Sequence, residues 1–553
     1  MVRKISRRQA LIGFSSTLLL PAACSKPDDP GVSNISFAHG VASGDPDRES
    51  VVIWTRVSGM GEPAGVEWQV ARDTGFSEIA ASGRAIASAD RDYTVKVVAE
   101  NLAPGESYFY RFVADGNTSP IGRTKTLSDG HMERLVIAVA SCSNYPFGYF
   151  NAYEAIANDP DIDVVAHLGD YIYEYSEDGY GGETGRRLNR VHEPRHEILS
   201  LQDYRTRHAQ YKSDEGSRAM HGRHPLIVIW DDHESANNPW MEGAENHQGD
   251  EGDWFDRRAA SLQAFFEWMP VRDPLPGQPM EKYWRHYRFG DLASIVTLES
   301  RHTGRSKQIE WGDLNRFESA DDAEAFYRDV VGADDRNFLS TEMEAFLAAS
   351  LRESVEANRR WRIIGNQSVM ARRRAPRLDD PWFDTLRAEL DDEGRRTLDS
   401  SRQVGALNAV VDLDAWNGYP VARERFYDIA KDVGVTDLLV ISGDSHSYWA
   451  NALYDDGGQS MGVELGTTGI TSPRGLLSLG REGLGRYDVL MAETNREVVW
   501  TNGNYNGFVR LEIDHDGARV DYVTMTNIET RDYDTHIVYT ANIERIDGEL
   551  RYA

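Results

Sequence analysis

From residue 132 onward the chain repeats one motif: a short apolar run that stops abruptly at a polar residue. LVIAVAS (135–141), DVVAHLG (163–169), LIVIW (226–230), SIVTL (294–298), WRIIGN (361–366) and DLLVISG (437–443) are all of this kind. Each is too short for a buried helix and rich in branched side chains, so each reads as a strand buried on both faces. Helical segments lie between them. One is predicted from Thr341, where Thr341-x-x-Glu344 forms a capping box, with Met343, Phe346, Leu347 and Leu351 on one face. Buried strands alternating with helices require an α/β domain with helices packed outside its sheets.

The region before it has a different rhythm. SVVIWTRV (50–57), VEWQVARD (66–73), YTVKVVAE (93–100) and SYFYRFVAD (107–115) are closely spaced, alternating strands separated by turn residues. They predict a small antiparallel sandwich over 35–128, and NLAPGESYFYRF resembles the late strands of fibronectin type III or Ig-like modules. The α/β domain then runs over 132–553, with 526–553 expected to cover its site. A chain of 553 residues with 13 Trp, 25 Tyr and 18 Phe has the length and the apolar content for two such cores. The connection 174–224, polar and rich in Gly and Arg, is too long to be inert. It should carry its own helices and flank a site.

Residues 1–30 read as an export signal: a basic start, an apolar stretch from Leu11 to Leu20 and then small residues. Arg7-Arg8 after Ser6 matches a twin-arginine signal, which exports folded chains; a general secretory signal with two chance arginines is the alternative. Ten apolar residues are too few to span a bilayer. Leu20-Pro21-Ala22-Ala23-Cys24 has the small residues of a lipoprotein cleavage site, although Pro21 stands where an aliphatic residue is usual. A lipid anchor on Cys24 and a free soluble form both stay open, in the periplasm or outside the cell. The only charges in residues 1–23 are Arg3, Lys4, Arg7 and Arg8, so their removal takes the formal charge from −29 to about −33. Such acidity argues against a nucleic-acid-binding surface.

The chemistry-bearing residues gather where strands end, which is where open α/β sheets place ligand sites. Cys142 and Asn144 follow the first run, and Gly169-Asp170-Tyr171-Ile172-Tyr173 the second. Asp231-Asp232-His233-Glu234, with Asn237 and Asn238, follow the third, and Gly443-Asp444-Ser445-His446 follow the last. One Asp after a strand is ordinarily a turn former. Four strand ends so furnished suit clustered cations. Two cations close together would bridge a phosphate and generate a hydroxide nucleophile near neutral pH. Asp170 is the natural bridging carboxylate, with Gly169 allowing the tight turn. Tyr173 can reach the same centre, and a tyrosinate favours a hard trivalent ion such as Fe³⁺. Cys142 has no plausible disulfide partner, so its readings are a thiolate ligand or a buried thiol packing as a small hydrophobe.

Many segments in order carry a resemblance: FAHGVASGDPDRESVVIWTRV (37–57), VASCSNYPFGYFNAY (139–153), HLGDYIYEY (167–175), DYRTRHAQY (203–211), IWDDHESANN (229–238), FFEWMPVR (265–272), IIGNQ (363–367), WNGYPVARER (416–425), SGDSHS (442–447) and TTGITSP (467–473). The chain resembles the PhoD-type alkaline phosphatases, relatives of the purple acid phosphatases in the calcineurin-like metallophosphoesterase superfamily. The resemblance implies a two-sheet metallophosphoesterase sandwich flanked by helices, and a centre of one Fe³⁺ with one or two Ca²⁺. By position, Cys142, Asp170, Tyr173 and His446 match the iron-side ligands, and Asp232, Asp444 and Asn238 (or Asn237) the calcium-side ligands. His233, Asp170 and Asp232 are the implied catalytic residues, with His233 contacting phosphate and donating a proton to the leaving oxygen. His233, Tyr171 and Arg301 are the implied substrate-side residues. Two departures stand out. Tyr171 occupies the place where a characterised member carries a phosphate-contacting Arg, which shifts the expectation toward diesters. Glu299-Ser300-Arg301 replaces a common Asp-Thr-Arg, leaving Arg301 as a site anchor or a buried salt bridge.

The function implied is an exported phosphohydrolase that acts on phosphomonoesters or phosphodiesters after passage through the twin-arginine machinery. A phospholipase-D-like diesterase acting on lipids or phosphodiester polymers is the alternative, and a non-catalytic surface binding protein the competing class.

Overall fold

The computed structural model describes residues 35–59 and 61–553, so the export signal, Arg7-Arg8 and the lipidation candidate Cys24 lie outside the described residues. Two sheets pack face to face. The larger has ten strands, in the order Glu549–Tyr552, Thr535–Ile546, Gly517–Met525, Gly507–Asp514, Arg134–Ala140, Val164–His167, Pro225–Val228, Val41–Gly44, Ser50–Arg56 and Thr94–Glu100. The smaller has seven, in the order His286–Phe289, Ala293–Thr297, Trp361–Gly365, Leu438–Ser442, Ser460–Gly466, Tyr448–Tyr454 and Val498–Asn502. The central strands of both are parallel.

Alternation along each central strand explains the layers. Leu135, Ile137 and Val139 point into the inter-sheet core with Ile227, Ile295, Ile363, Leu439 and Ile441. Val136, Ala138 and Ala140 face the other way, into a core shared with the helices Asn151–Asn158, Leu201–Ser213, Glu215–Arg223 and Trp254–Trp268. The smaller sheet does the same with Leu438 and Val440 against the helices Thr341–Glu356 and Pro420–Asp432. Strands buried on both sides must be apolar at every position, which is the run-and-stop motif of the sequence. Truncating a fully buried residue such as Ile137 to Ala should cost about 2–5 kcal/mol.

Three differences from expectation have clear causes. The 35–128 strands do form a sandwich around Val51, Val66, Tyr108 and Phe112. It is not separate, however: Val41–Gly44 pairs in parallel with Pro225–Val228, so one of its sheets continues the large one. Segment 526–553 does not cover the site; its strands extend the edge of the large sheet, and Ile528 accepts from the Tyr149 amide. The helix at Thr341 is capped one residue earlier, by the Ser340 hydroxyl accepting from the Met343 amide. The long 174–224 connection does carry helices of its own. No helix among the described residues is long and apolar enough to cross a membrane.

Candidate metal centre

The two sheets meet at the C-terminal ends of their parallel strands. Ser141 bridges to Gly469, and the Ile470 amide donates to the Ser141 carbonyl at 2.9 Å. This seam brings the four strand ends together. Donor atoms of Cys142, Asp170 and His446 lie within 4.8 Å of one another, as do those of Asp170, Asp232 and His233, and those of Asp170, Asp231, Asp232 and Asp444. Asp170 belongs to all three groups, the position a bridging ligand requires.

The backbone is strained at this point and not merely bent. Cys142, Asp170, Asp444 and His446 all have positive φ, at 60°, 56°, 61° and 53°. Non-glycine residues adopt this region rarely and at a cost, and such outliers concentrate at functional sites. Gly169 is obligatory: its φ is +101°, and a Cβ there would sit 2.3 Å from Asp231 Cβ. Glu234 fastens the turn. Its buried carboxylate accepts from the amides of Asp170 (3.1 Å), Tyr171 (2.6 Å) and Asp231 (2.8 Å).

The side chains around Asp170 are individually oriented. Tyr173 donates to Asp170 Oδ2 at 2.9 Å and accepts from Ser472 at 2.8 Å. His446 Nδ1 lies 2.9 Å from the Pro473 carbonyl, which can only accept, so Nδ1 carries the hydrogen and Nε2 presents a lone pair. Burial pushes His446 down to about 4, keeping it neutral. His233 Nδ1 donates to Glu174 Oε2 at 2.7 Å while its ring stacks on Tyr173 at 4.1 Å. Glu174 is itself held by the Asn237 amide and by Asn246 Nδ2, both at 2.8 Å. Burial alone would lower His233, but Asp232, Glu174 and Asp170 outweigh it and hold the ring protonated well above the ordinary histidine value.

Charge is out of balance in the way that cations would correct. Burial, then Asp232, pushes Asp170 well up; burial, then Asp231, does the same to Asp444. Burial, then Asp170, raises the Cys142 thiol and the Tyr173 phenol. Asp170 Oδ1, Asp231 Oδ2 and Asp232 Oδ1 are buried with no hydrogen-bond partner among the described residues. Orphaned carboxylate oxygens beside a buried thiol and imidazole fit a mixed hard and soft cation cluster, and cationic charge would pull every one of these groups down.

Some expected residues stand elsewhere. Tyr171 turns its back on the site: its hydroxyl bonds Ser217 and His221, each at 2.9 Å, inside the helical layer. With Asp170 facing the centre, the next side chain emerges on the opposite face of the turn, so Tyr171 is not a substrate contact. Arg301 also lies beneath the site. It donates to Asp231 at 2.5 Å and Asp414 at 2.6 Å, and its Nη2 sits 3.9 Å from Asp232 Oδ1, which makes it the buried anchor and not a substrate-side group. Asn238 stands at the rim, its side-chain Nδ2 donating to Glu245 at 2.7 Å and its backbone N–H to Asp232 Oδ2 at 3.0 Å. Asn144 is fully buried with neither side-chain atom partnered.

The residue missed in the sequence is Glu174; Asp231 and Glu234 stood in the third strand-end group without an assigned role. A proton-donating histidine needs an orienting carboxylate, and that requirement is the one sequence signal pointing toward an acidic residue such as Glu174.

Comparison with known proteins agrees over nearly the whole chain. Residues 137–522 match the family model of the PhoD-like phosphatase, and residues 23–128 that of the PhoD-like phosphatase N-terminal domain. Alkaline phosphatase D of Bacillus subtilis (strain 168) is 34% identical over 512 residues, covering 90% of this chain and 79% of the relative. A solved structure of PhoD is 30% identical with a TM-score of 0.77, covering 95% of this chain and 93% of that one.

Proposed function

The chain belongs to the PhoD-like phosphatase family and is a hydrolase of phosphate esters, and from that premise we propose an exported, cation-dependent phosphohydrolase acting on monoesters and diesters. The observation that carries this reading is the sharing of Asp170 among all three donor groups at the strand ends. Cys142, Asp170, Tyr173 and His446 would hold a trivalent cation, Fe³⁺ by its affinity for thiolate and phenolate. Asp170, Asp232 and Asp444, with an asparagine, would hold Ca²⁺. When bound, the cations supply positive charge to the phosphoryl oxygens and make water acidic enough to serve as a nucleophile near neutral pH.

The protein's own groups do the rest. His233 carries a proton at Nε2, the nitrogen on the Asp232 side of the ring, and delivers it to the departing ester oxygen. Glu174 fixes the tautomer and direction of that ring. Glu234 and Arg301 are positioning residues: one holds the Asp170 turn, the other anchors Asp231. Arg7-Arg8 support export by the twin-arginine route, and Cys24 offers a lipid attachment.

Asp232→Ala should abolish hydrolysis of nitrophenyl phosphate while leaving the circular dichroism spectrum unchanged; full activity in that folded variant would overturn the assignment. A diesterase preference is a second reading. It is favoured by the aromatic wall of Phe147, Tyr175 and Tyr180 beside Tyr173 and His233. A strong preference for mono- over bis-nitrophenyl phosphate would count against it.

A further inference from the structure

At the end of the molecule opposite the catalytic strand ends, three segments far apart in sequence converge. His131 lies in the linker that precedes Arg134–Ala140, Asp291 in the turn between His286–Phe289 and Ala293–Thr297, and His515 in the turn after Gly507–Asp514. Because Asp514 pairs with Arg134, the first and last of these are neighbours at the ends of two adjacent central strands of the large sheet, while Asp291 belongs to the small one.

Their donor atoms lie within 4.8 Å of one another. His131 Nδ1 is 2.9 Å from Asp291 Oδ2, and His515 Nε2 is 3.7 Å from Asp291 Oδ1. The two imidazoles stack with centroids 5.1 Å apart and planes at 16°. Asp291 is fixed by the Met132 amide, which donates to Oδ1 at 3.0 Å, and His515 Nε2 lies 3.2 Å from the Met132 carbonyl, a contact that this nitrogen would exchange for a cation. All three side chains reach solvent.

We propose that His131, Asp291 and His515 form a second cation site, for a first-row transition metal of the Zn²⁺ class, that clips the two sheets and the linker together. Two imidazoles and one carboxylate select Zn²⁺ and its neighbours over Ca²⁺ and Mg²⁺, and they leave a fourth position for water. No residue of the phosphoryl-transfer site takes part. The competitor is a proton, because an imidazole binds metal only in its neutral form. The cation would act as a staple, stabilising the fold by mass action.

The test uses the full chain with its catalytic centre loaded, titrated calorimetrically with Zn²⁺ at about pH 8, where free imidazoles are neutral. Wild type should take up one equivalent more than His131→Ala or His515→Ala, or each variant should bind it roughly tenfold or more weakly. Zn²⁺ should raise Tm in wild type only, and the extra equivalent should leave at about pH 5.5. Hydrolysis without added Zn²⁺ should be equal in all three, showing that the variants are folded and their catalytic centre intact. Equal stoichiometry and equal Tm response in wild type and variants would overturn the site, as would retention of the extra equivalent at the acid pH.

Discussion

Two buried polar clusters sit on opposite faces of the turn at Asp170. On one face Asp170, Asp231, Asp232 and Asp444 crowd together, with Arg301 and His233 as the cationic groups facing them. On the other, Tyr171 meets His167, His208, His221 and Lys212, whose Nζ lies 3.1 Å from His221 Nε2 and over the rings of Trp54 and Tyr171. Burial drives Lys212 far below the ordinary lysine value, with no carboxylate to oppose it. Burial, then Lys212, takes His167 and His208 down to about 3. Equal burial thus has opposite consequences. The base-rich cluster discharges itself by giving up protons, and is structural. Both faces keep unpartnered atoms, ring nitrogens of His167, His208 and His221 on one and oxygens of Asp170, Asp231 and Asp232 on the other, but only the acid-rich face carries raised carboxyls, a state that cations or protons relieve.

The largest effect that separates the two faces is catalytic. Asp232→Ala should lower kcat on nitrophenyl phosphate by roughly three orders of magnitude or more, because several kcal/mol of charge stabilisation is lost. Glu174→Gln, which leaves every cation ligand in place, should lower kcat by about tenfold to a hundredfold with KM nearly unchanged, through a misdirected His233. An equal loss in KM would move Glu174 into substrate binding.

Chelation supplies the next contrast. Removing cations should depress Tm most at neutral and alkaline pH. Asp170 and Asp444 have folded pKa values above their unfolded ones, so in the stripped protein they bind protons that the unfolded chain does not, and stability is regained as pH falls toward their unfolded range. The base-rich face has the reverse sign. Its histidines titrate at lower pH folded than unfolded, so the unfolded chain binds the extra protons and the cluster loses stability as pH falls from about 6.5 toward 3. Lys212→Met should flatten the rise of Tm between neutral and alkaline pH, because the unfolded state no longer holds a proton that the folded state lacks. An unchanged rise would mean that Lys212 is charged in the fold.

The smallest effect is Tyr171→Phe. Activity should stay within about twofold, and stability should fall by about 1 kcal/mol as His221 and Ser217 lose a partner. A large loss of activity would bring Tyr171 back to the substrate side.

These two faces also mark where the sequence was readable. The gathering of Asp170, Asp232, Asp444, His446 and Cys142 was legible because a polar residue at the end of an apolar run is a local pattern. The side on which Tyr171 emerges was not, since it depends on the left-handed φ of Asp170, and the alternation used for strands stops at such a turn. The roles of Glu174 and Glu234 were unreadable for a different reason: their partners, His233 and the Asp170 turn, come from neighbouring strands, and strand order is not written in either segment. The same holds for Val41–Gly44, whose residues form a strand by composition but whose partner, Pro225–Val228, is chosen by the packed sheet.

The most direct test of the account is the metal content of protein isolated without chelator, measured by elemental analysis for wild type and for Asp170→Asn alongside activity. At least two cations per wild-type chain are expected, iron among them with a tyrosinate-to-iron absorption band, together with loss of both metal and hydrolysis in the variant. Full hydrolysis by wild-type protein that contains no stoichiometric metal would contradict it.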